Sequence, residues 1–156
     1  MISSSAHTAE VAIAASLDEL SAHFAVRRRV FVEQQGLFEG SDRDAYDDLA
    51  DTLHVVALVD GEVVGTVRLY PLGDGLFKGD RLAVLPDARV HRLGGELVQF
   101  AVRTGGALGG SRMVAQVQVP NVRFFERLGW VRDGEAARYH GVMHQPMAIA
   151  LRRPGQ

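Results

Sequence analysis

Between residues 88 and 97 the chain reads ARVHRLGGEL, a polar, glycine-bearing segment suited to an anion. An apolar run that ends at Pro86 precedes it and an amphipathic stretch follows, so it joins a strand to the start of a helix. The first turn of a helix leaves backbone N–H groups without partners and carries the positive end of the helix dipole. Arg89, His91 and Arg92 add positive charge, and Gly94 and Gly95 permit close approach to the backbone. The segment predicts a phosphate cradle; the plainer reading is a basic loop that caps a helix.

Other chemistry-bearing residues also group together. Asp42, Asp44, Asp47, Asp48 and Asp51 lie within EGSDRDAYDDLAD. A calcium loop is excluded because its glycine position falls on Asp47 and its bidentate acid on Leu53, so the segment is expected to be a solvated acidic loop. His140 and His144 have the spacing of a helical zinc pair, but Gly141 and Pro146 argue against a helix there and no metal is expected. Arg27, Arg28 and Arg29 point in different directions on a helix, which suits a solvated face with Arg27 turned inward better than a nucleic-acid surface.

Composition supports that choice. The 156 residues carry a net charge of −2, whereas nucleic-acid binders are usually strongly basic. Hydrophobic residues at 47% and charged residues at 23% predict one ordinary soluble domain over 1–156, with residues 1–8 frayed. The absence of cysteine excludes disulfides, thiolate metal sites and a cysteine nucleophile. The N-terminal residues lack the pattern of a signal peptide, and no apolar run is long enough for a bilayer. A cytoplasmic protein with no membrane or nucleic-acid partner is expected.

The elements that must position these residues follow from periodicity and punctuation. EVAIAAS is a strand, and Ser16 with Glu19 forms a capping-box signature for a helix that reaches the Arg27 to Phe31 region. Asp60-Gly61 separates two β-rich runs and marks a hairpin. DRLAVLP is the next strand, followed by a helix from about Arg92 to Thr104 that GGALGGS ends. RMVAQVQV, a short helix from Pro120-Asn121 to Gly129, and strands in WVRDGE and QPMAIAL complete the order β-α-β-β-β-α-β-α-β-β. This is an α/β domain with a partly antiparallel sheet.

In that order and spacing the motifs resemble the Gcn5-related N-acetyltransferase (GNAT) superfamily. Arg89 and Gly94 match the ends of its acetyl-CoA loop, Arg/Gln-x-x-Gly-x-Gly/Ala, with Arg92 in place of the middle glycine. Asn121, Phe124-Phe125, Glu126-Arg127 and Leu128-Gly129-Trp130 match its later motif. VRRRVFVEQQGLF is similar to the ElaA-like and nitrogen-starvation branch through Arg27, Val30, Phe31, Val32 and Gln35, with Gln34 where glutamate is usual. Gly134, Glu135, Gly141, His144 and Met147 match that branch's C-terminal pattern.

The resemblance implies a single mixed, mostly antiparallel twisted sheet with splayed central parallel strands and helices on both faces. It implies acetyl-CoA as cosubstrate, a small-molecule primary amine as acceptor, direct attack on the thioester, no metal, and a homodimer as one assembly. The pantetheine would pair with the main chain at Leu82, Ala83 and Val84, with a main-chain N–H of that strand as oxyanion donor. The pyrophosphate would lie on Arg89, Val90, His91, Arg92, Leu93, Gly94 and Gly95, and Asn121 and Phe125 would also border the cofactor. Phe125 stands where many members carry an acid tyrosine, leaving Tyr139 and His144 as candidates for the general acid. If the acidic segment rims the acceptor pocket, it favours a cationic amine, with Glu33 or Asp48 as base. Two other readings remain: a non-catalytic CoA-binding module, suggested by Arg92 and Phe125, and an enzyme similar to acyl-homoserine-lactone synthases, suggested by VRLYPL with Arg68.

Overall fold

The computed structural model describes residues 8–155, apart from the side chain of Val90. The expected fraying of residues 1–7 lies outside the described residues. Thr8 is not frayed: its N–H donates to Asp60 Oδ1 at 3.1 Å, and its carbonyl accepts from the Asp60 N–H at 2.8 Å.

The chain forms β1 (Ala9–Ile13), α1 (Leu17–Arg27), β2 (Leu53–Val59), β3 (Glu62–Gly73), β4 (Leu76–Val84), α2 (Leu93–Ala107), β5 (Arg112–Gln118), α3 (Val122–Arg127), β6 (Val131–Arg132), β7 (Ala137–Tyr139) and β8 (Val142–Ala150). One sheet runs β1-β2-β3-β4-β5-β8-β6, and β7 also pairs with β8. All pairings are antiparallel except β4 with β5, which are parallel. Strand β7 was not expected. It forms a hairpin with β8 around His140 and Gly141, both at positive φ.

Ser16 Oγ accepts from the Glu19 N–H, and Glu19 Oε1 accepts from the Ala15 N–H, so α1 opens on its expected capping box. Beyond Arg27 the chain widens into a π-helix over Arg28–Gln34. Helix α2 runs past the expected stop at Thr104, because Gly105 and Gly106 serve close packing and not termination. A Cβ on Gly106 would lie 2.0 Å from the Arg152 carbonyl oxygen. The terminal segment therefore lies directly against the helix.

Val26, Val30, Phe31 and Leu37 pack with Ala83 on one face of the sheet. Leu93, Leu97, Val98, Ala101, Val122 and Phe125 pack on the other with Val55, Val67 and Met113. Helices thus cover both faces, as expected. No described helix is long and apolar enough to cross a membrane.

The acidic segment departs most from expectation. Asp42 and Asp47 are buried, not solvated. Arg27, itself fully buried, donates Nε to Asp42 at 2.7 Å and Nη1 to Asp47 at 2.7 Å. Arg68, also fully buried, bonds Asp44 and Asp80, and Arg81 pairs with Asp42 and Asp44. Two buried guanidiniums require counter-charges, and the acidic segment supplies them. Burial alone would raise the pKa of Asp47, but hydrogen bonds from His54 and Arg27 outweigh it and hold the group well below the usual carboxylate range.

His23 borders this network. Its Nδ1–H donates to the Val55 carbonyl, leaving Nε2 to accept from Arg27. Burial, reinforced by the Arg27 charge, pulls its pKa down to about 3. Between about 6.5 and 3 the unfolded chain takes up a proton that the folded chain refuses, so stability falls as pH drops through that window. Urea unfolding at pH 7.5, 6 and 5 should show a falling midpoint, and His23→Gln, which can keep both hydrogen bonds, should flatten the trend. A wild-type midpoint independent of pH would contradict this account.

Candidate active site

The site originates in a broken ladder. Strands β4 and β5 pair only at Leu76–Lys78 with Arg112–Val114 and then part. The gap opens into a cleft of about 430 Å³ that reaches both faces of the sheet, within the range typical of small-molecule sites. Strand alternation makes its two halves chemically different. Met113, Ala115 and Val117 belong to the apolar cluster under α2 and α3. Gln116 and Gln118 alternate with them and therefore face the α1 side, where Gln118 Nε2 donates to Gln35 Oε1 at 3.0 Å. The π-helix brings Phe31 and Gln35 to that side of the cleft.

His144, Tyr139, Asn121 and Phe125 all line the cleft. His144 pairs across the sheet with Gln118, and the Tyr139 ring meets its imidazole edge-on at 5.6 Å between centroids. His144 is buried, and its Nδ1–H donates to the Val142 carbonyl at 2.8 Å. A carbonyl can only accept, so Nε2 of the neutral ring carries the lone pair, and it has no hydrogen-bond partner among the described residues. In that state His144 is prepared to take a proton before it can give one. Phe125 meets Trp130 edge-to-face at 5.3 Å, and both form part of the dry wall.

Glu33 does not reach the cleft. It is exposed and pairs with Arg28 at 3.5 Å. Asp48 is exposed on the acidic segment and is also absent from the lining.

Leu82 lines the cleft, whereas the Ala83 side chain packs in the α1 cluster and offers only its main chain. The Val84 carbonyl accepts from Arg89 Nε at 3.3 Å, so the Arg89 side chain folds back on the strand end. Residues 86–91 form a 3-10 turn, and Arg92 then adopts a left-handed conformation at φ 56°, ψ 35° as N-cap of α2. Its side chain is exposed. His91 is half-buried, and Val90 contributes main chain, its side chain lying outside those described. Leu93 belongs to the core, so its part in any anion site is its N–H. A Cβ on Gly94 or Gly95 would meet only the Phe124 ring, at 3.6 and 3.9 Å. Among the described residues nothing crowds these positions, so packing does not account for the glycines.

Sequence reasoning missed Lys78, Gln116, Gln118 and Arg138 in the lining. The one available signal was charged and amide residues within otherwise apolar strands, FKGD and AQVQ.

Comparison with known proteins agrees with this geometry. Residues 19–130 match the Acetyltransferase (GNAT) family. An acetyltransferase-family protein of Bacillus subtilis (strain 168) is 30% identical over 130 residues, covering 83% of this chain and 88% of the relative. An acyl-CoA N-acyltransferase from Pseudomonas aeruginosa superposes with a TM-score of 0.79 at 24% identity, covering 92% of this chain and 99% of that one. ElaA of Escherichia coli superposes with a TM-score of 0.78 at 21% identity, covering 92% and 99%. The chain belongs to the GNAT family and is an enzyme of the acyl-CoA-dependent N-acyltransferase class.

Arg92 stands where the family loop has glycine, and its positive φ explains that preference. A left-handed L-residue costs about 1 kcal/mol or more. Arg92→Gly should therefore stabilise the free protein by about 1 kcal/mol, or roughly 3 °C in Tm. Arg92→Ala, which loses the charge but keeps the strain, should not. Equal melting temperatures for Arg92→Gly and Arg92→Ala would refute the strain.

Proposed function

We propose that the enzyme transfers an acetyl group from acetyl-CoA to a primary amine within a ternary complex. The observation that carries this reading is the parting of β4 from β5. It leaves the main chain of residues 79–84 without a ladder partner on the β5 side, with the α2 N-terminus beyond its end. An extended pantetheine arm suits the free edge around Leu82 to Val84, and a pyrophosphate suits the N–H groups from Arg89 to Gly95. The uncrowded Gly94 and Gly95 support the second assignment.

The amine nitrogen attacks the thioester carbonyl, a main-chain N–H of the β4 edge donates to the developing oxyanion, and the carbon–sulfur bond breaks. His144 Nε2 removes the proton from the attacking nitrogen, and the imidazolium then returns it to the departing thiolate. The hydrogen bond at Nδ1 supports this order, because it leaves Nε2 as the acceptor of the neutral ring. One residue thus fills both the acid role considered for His144 or Tyr139 and the base role considered for Glu33 or Asp48. Tyr139, exposed and edge-on to the imidazole, orients the ring. The ElaA-like branch is the part of the family whose motifs these residues match.

Thermal-shift titration should show acetyl-CoA binding, weakened in Gly94→Ala while that variant melts no lower than wild type without ligand. No shift at millimolar acetyl-CoA would defeat the proposal. His144→Ala should lower turnover by about 10²-fold or more with cofactor affinity retained; unchanged turnover would remove His144 from the chemistry.

A further inference from the structure

The polar half of the cleft holds a cation without a counter-charge. Lys78 lines the cleft at the last rung joining β4 to β5 and is half-buried, and its ammonium has no hydrogen bond or ion pair among the described residues. Among the described residues Asp80 is the one carboxylate in the lining. Arg68 holds it through Nε at 2.7 Å and Nη2 at 2.6 Å, so it is not available to Lys78. Arg138, also in the lining, bonds the Gly141 carbonyl and no carboxylate. The cleft therefore has an excess of positive charge, opposite to what the acidic segment suggested for the acceptor.

A half-buried ammonium gives up hydration, and a ligand anion restores the lost interaction. That anion is not a cofactor phosphate. Lys78 lies six residues before Val84, roughly 20 Å along the strand from the α2 end. Lys78 shares the α1 side of the sheet with Gln116, Gln118 and His144, because it alternates in step with Asp80 and Tyr70. Its partner on β5, Val114, is four residues from Gln118, the partner of His144, on the order of 13 Å between the two backbone stations. Side chains reaching inward from both stations shorten that span to the length of a small bifunctional molecule.

We infer that the acceptor is an amine that also carries a carboxylate, of amino-acid or dipeptide size, with the carboxylate on Lys78 and the amine toward His144. This rests on the transferase reading above and names its substrate class. It is tested with matched pairs: 5-aminopentanoate and butylamine, L-phenylalanine and phenethylamine, and glycyl-leucine and its C-terminal amide. Thiol release from acetyl-CoA should favour the acid of at least one pair by about tenfold in kcat/KM. Lys78→Met should bring that ratio toward one through KM, and Lys78→Arg should restore part of it. Preference for the member without the carboxylate in every pair would overturn the inference, as would a Lys78→Met loss that falls on kcat for both members alike. Melting shifts of the cofactor-free protein separate this idea from the reading beneath it. A shift with the acids that Lys78→Met lacks, in a protein that does not respond to acetyl-CoA, would retain the anion site and reject the transferase; no shift and no acid preference would reject the anion site alone.

Discussion

Two fully buried arginines organise this protein. Arg27 comes from α1 and Arg68 from β3, and neither charge is tolerable in the interior without partners. The segment between α1 and β2 supplies Asp42, Asp44 and Asp47 to meet them. Such a network contributes little net stability, since desolvation consumes most of the Coulomb gain, but removing one member exposes the rest to that cost, about 3–5 kcal/mol. Its structural value is registration. It fixes α1, the acidic segment, β3 and β4 relative to one another, and through Asp80 it holds β4 where the cleft begins.

The same network governs the charge of the cleft. Aspartates near the binding region are neutralised by Arg27, Arg68 and Arg81 before any ligand arrives. An acidic sequence segment therefore does not make an acidic site. Tyr70, stacked on Tyr46 of that segment, covers the network's flank, and its phenol is pushed well above the usual range by burial and by the Asp80 charge.

Features set by local chemistry were legible in the sequence. The Ser16–Glu19 cap, the Asp60-Gly61 hairpin, the strand–loop–helix read at 81–104 and the Asn121 helix each depend on residues a few positions apart. What was hidden depends on distant partners. Burial of Asp47 requires Arg27 and Arg68, twenty or more residues away in either direction. Helix α2 passes through two glycines because Gly105 packs on Leu151 and Met113 and Gly106 on the Arg152 carbonyl, some 46 residues later. The π-turn at Arg28–Gln34 shifts Phe31 and Gln35 toward the cleft by a register that 3.6-residue periodicity does not represent. The site divided along the same line. The proposed anion loop is a local motif, whereas Lys78 enters the proposal only through the strand that departs beside it.

That departure is the last constraint to weigh. In an intact sheet, alternation sends Met113, Ala115 and Val117 to one face and Gln116 and Gln118 to the other, and no small molecule touches both. Parting β4 from β5 removes the barrier at one place. An acyl group can then sit against the dry wall of Val98, Phe125 and Trp130 while an amine approaches from the wet side lined by His144 and the glutamines. In the proposed transfer, one half would keep water from the thioester and the other would serve the proton transfer. The proposed direct transfer needs only that the two reactants meet in the gap, so that chemistry would follow from where a parallel pair of strands stops pairing.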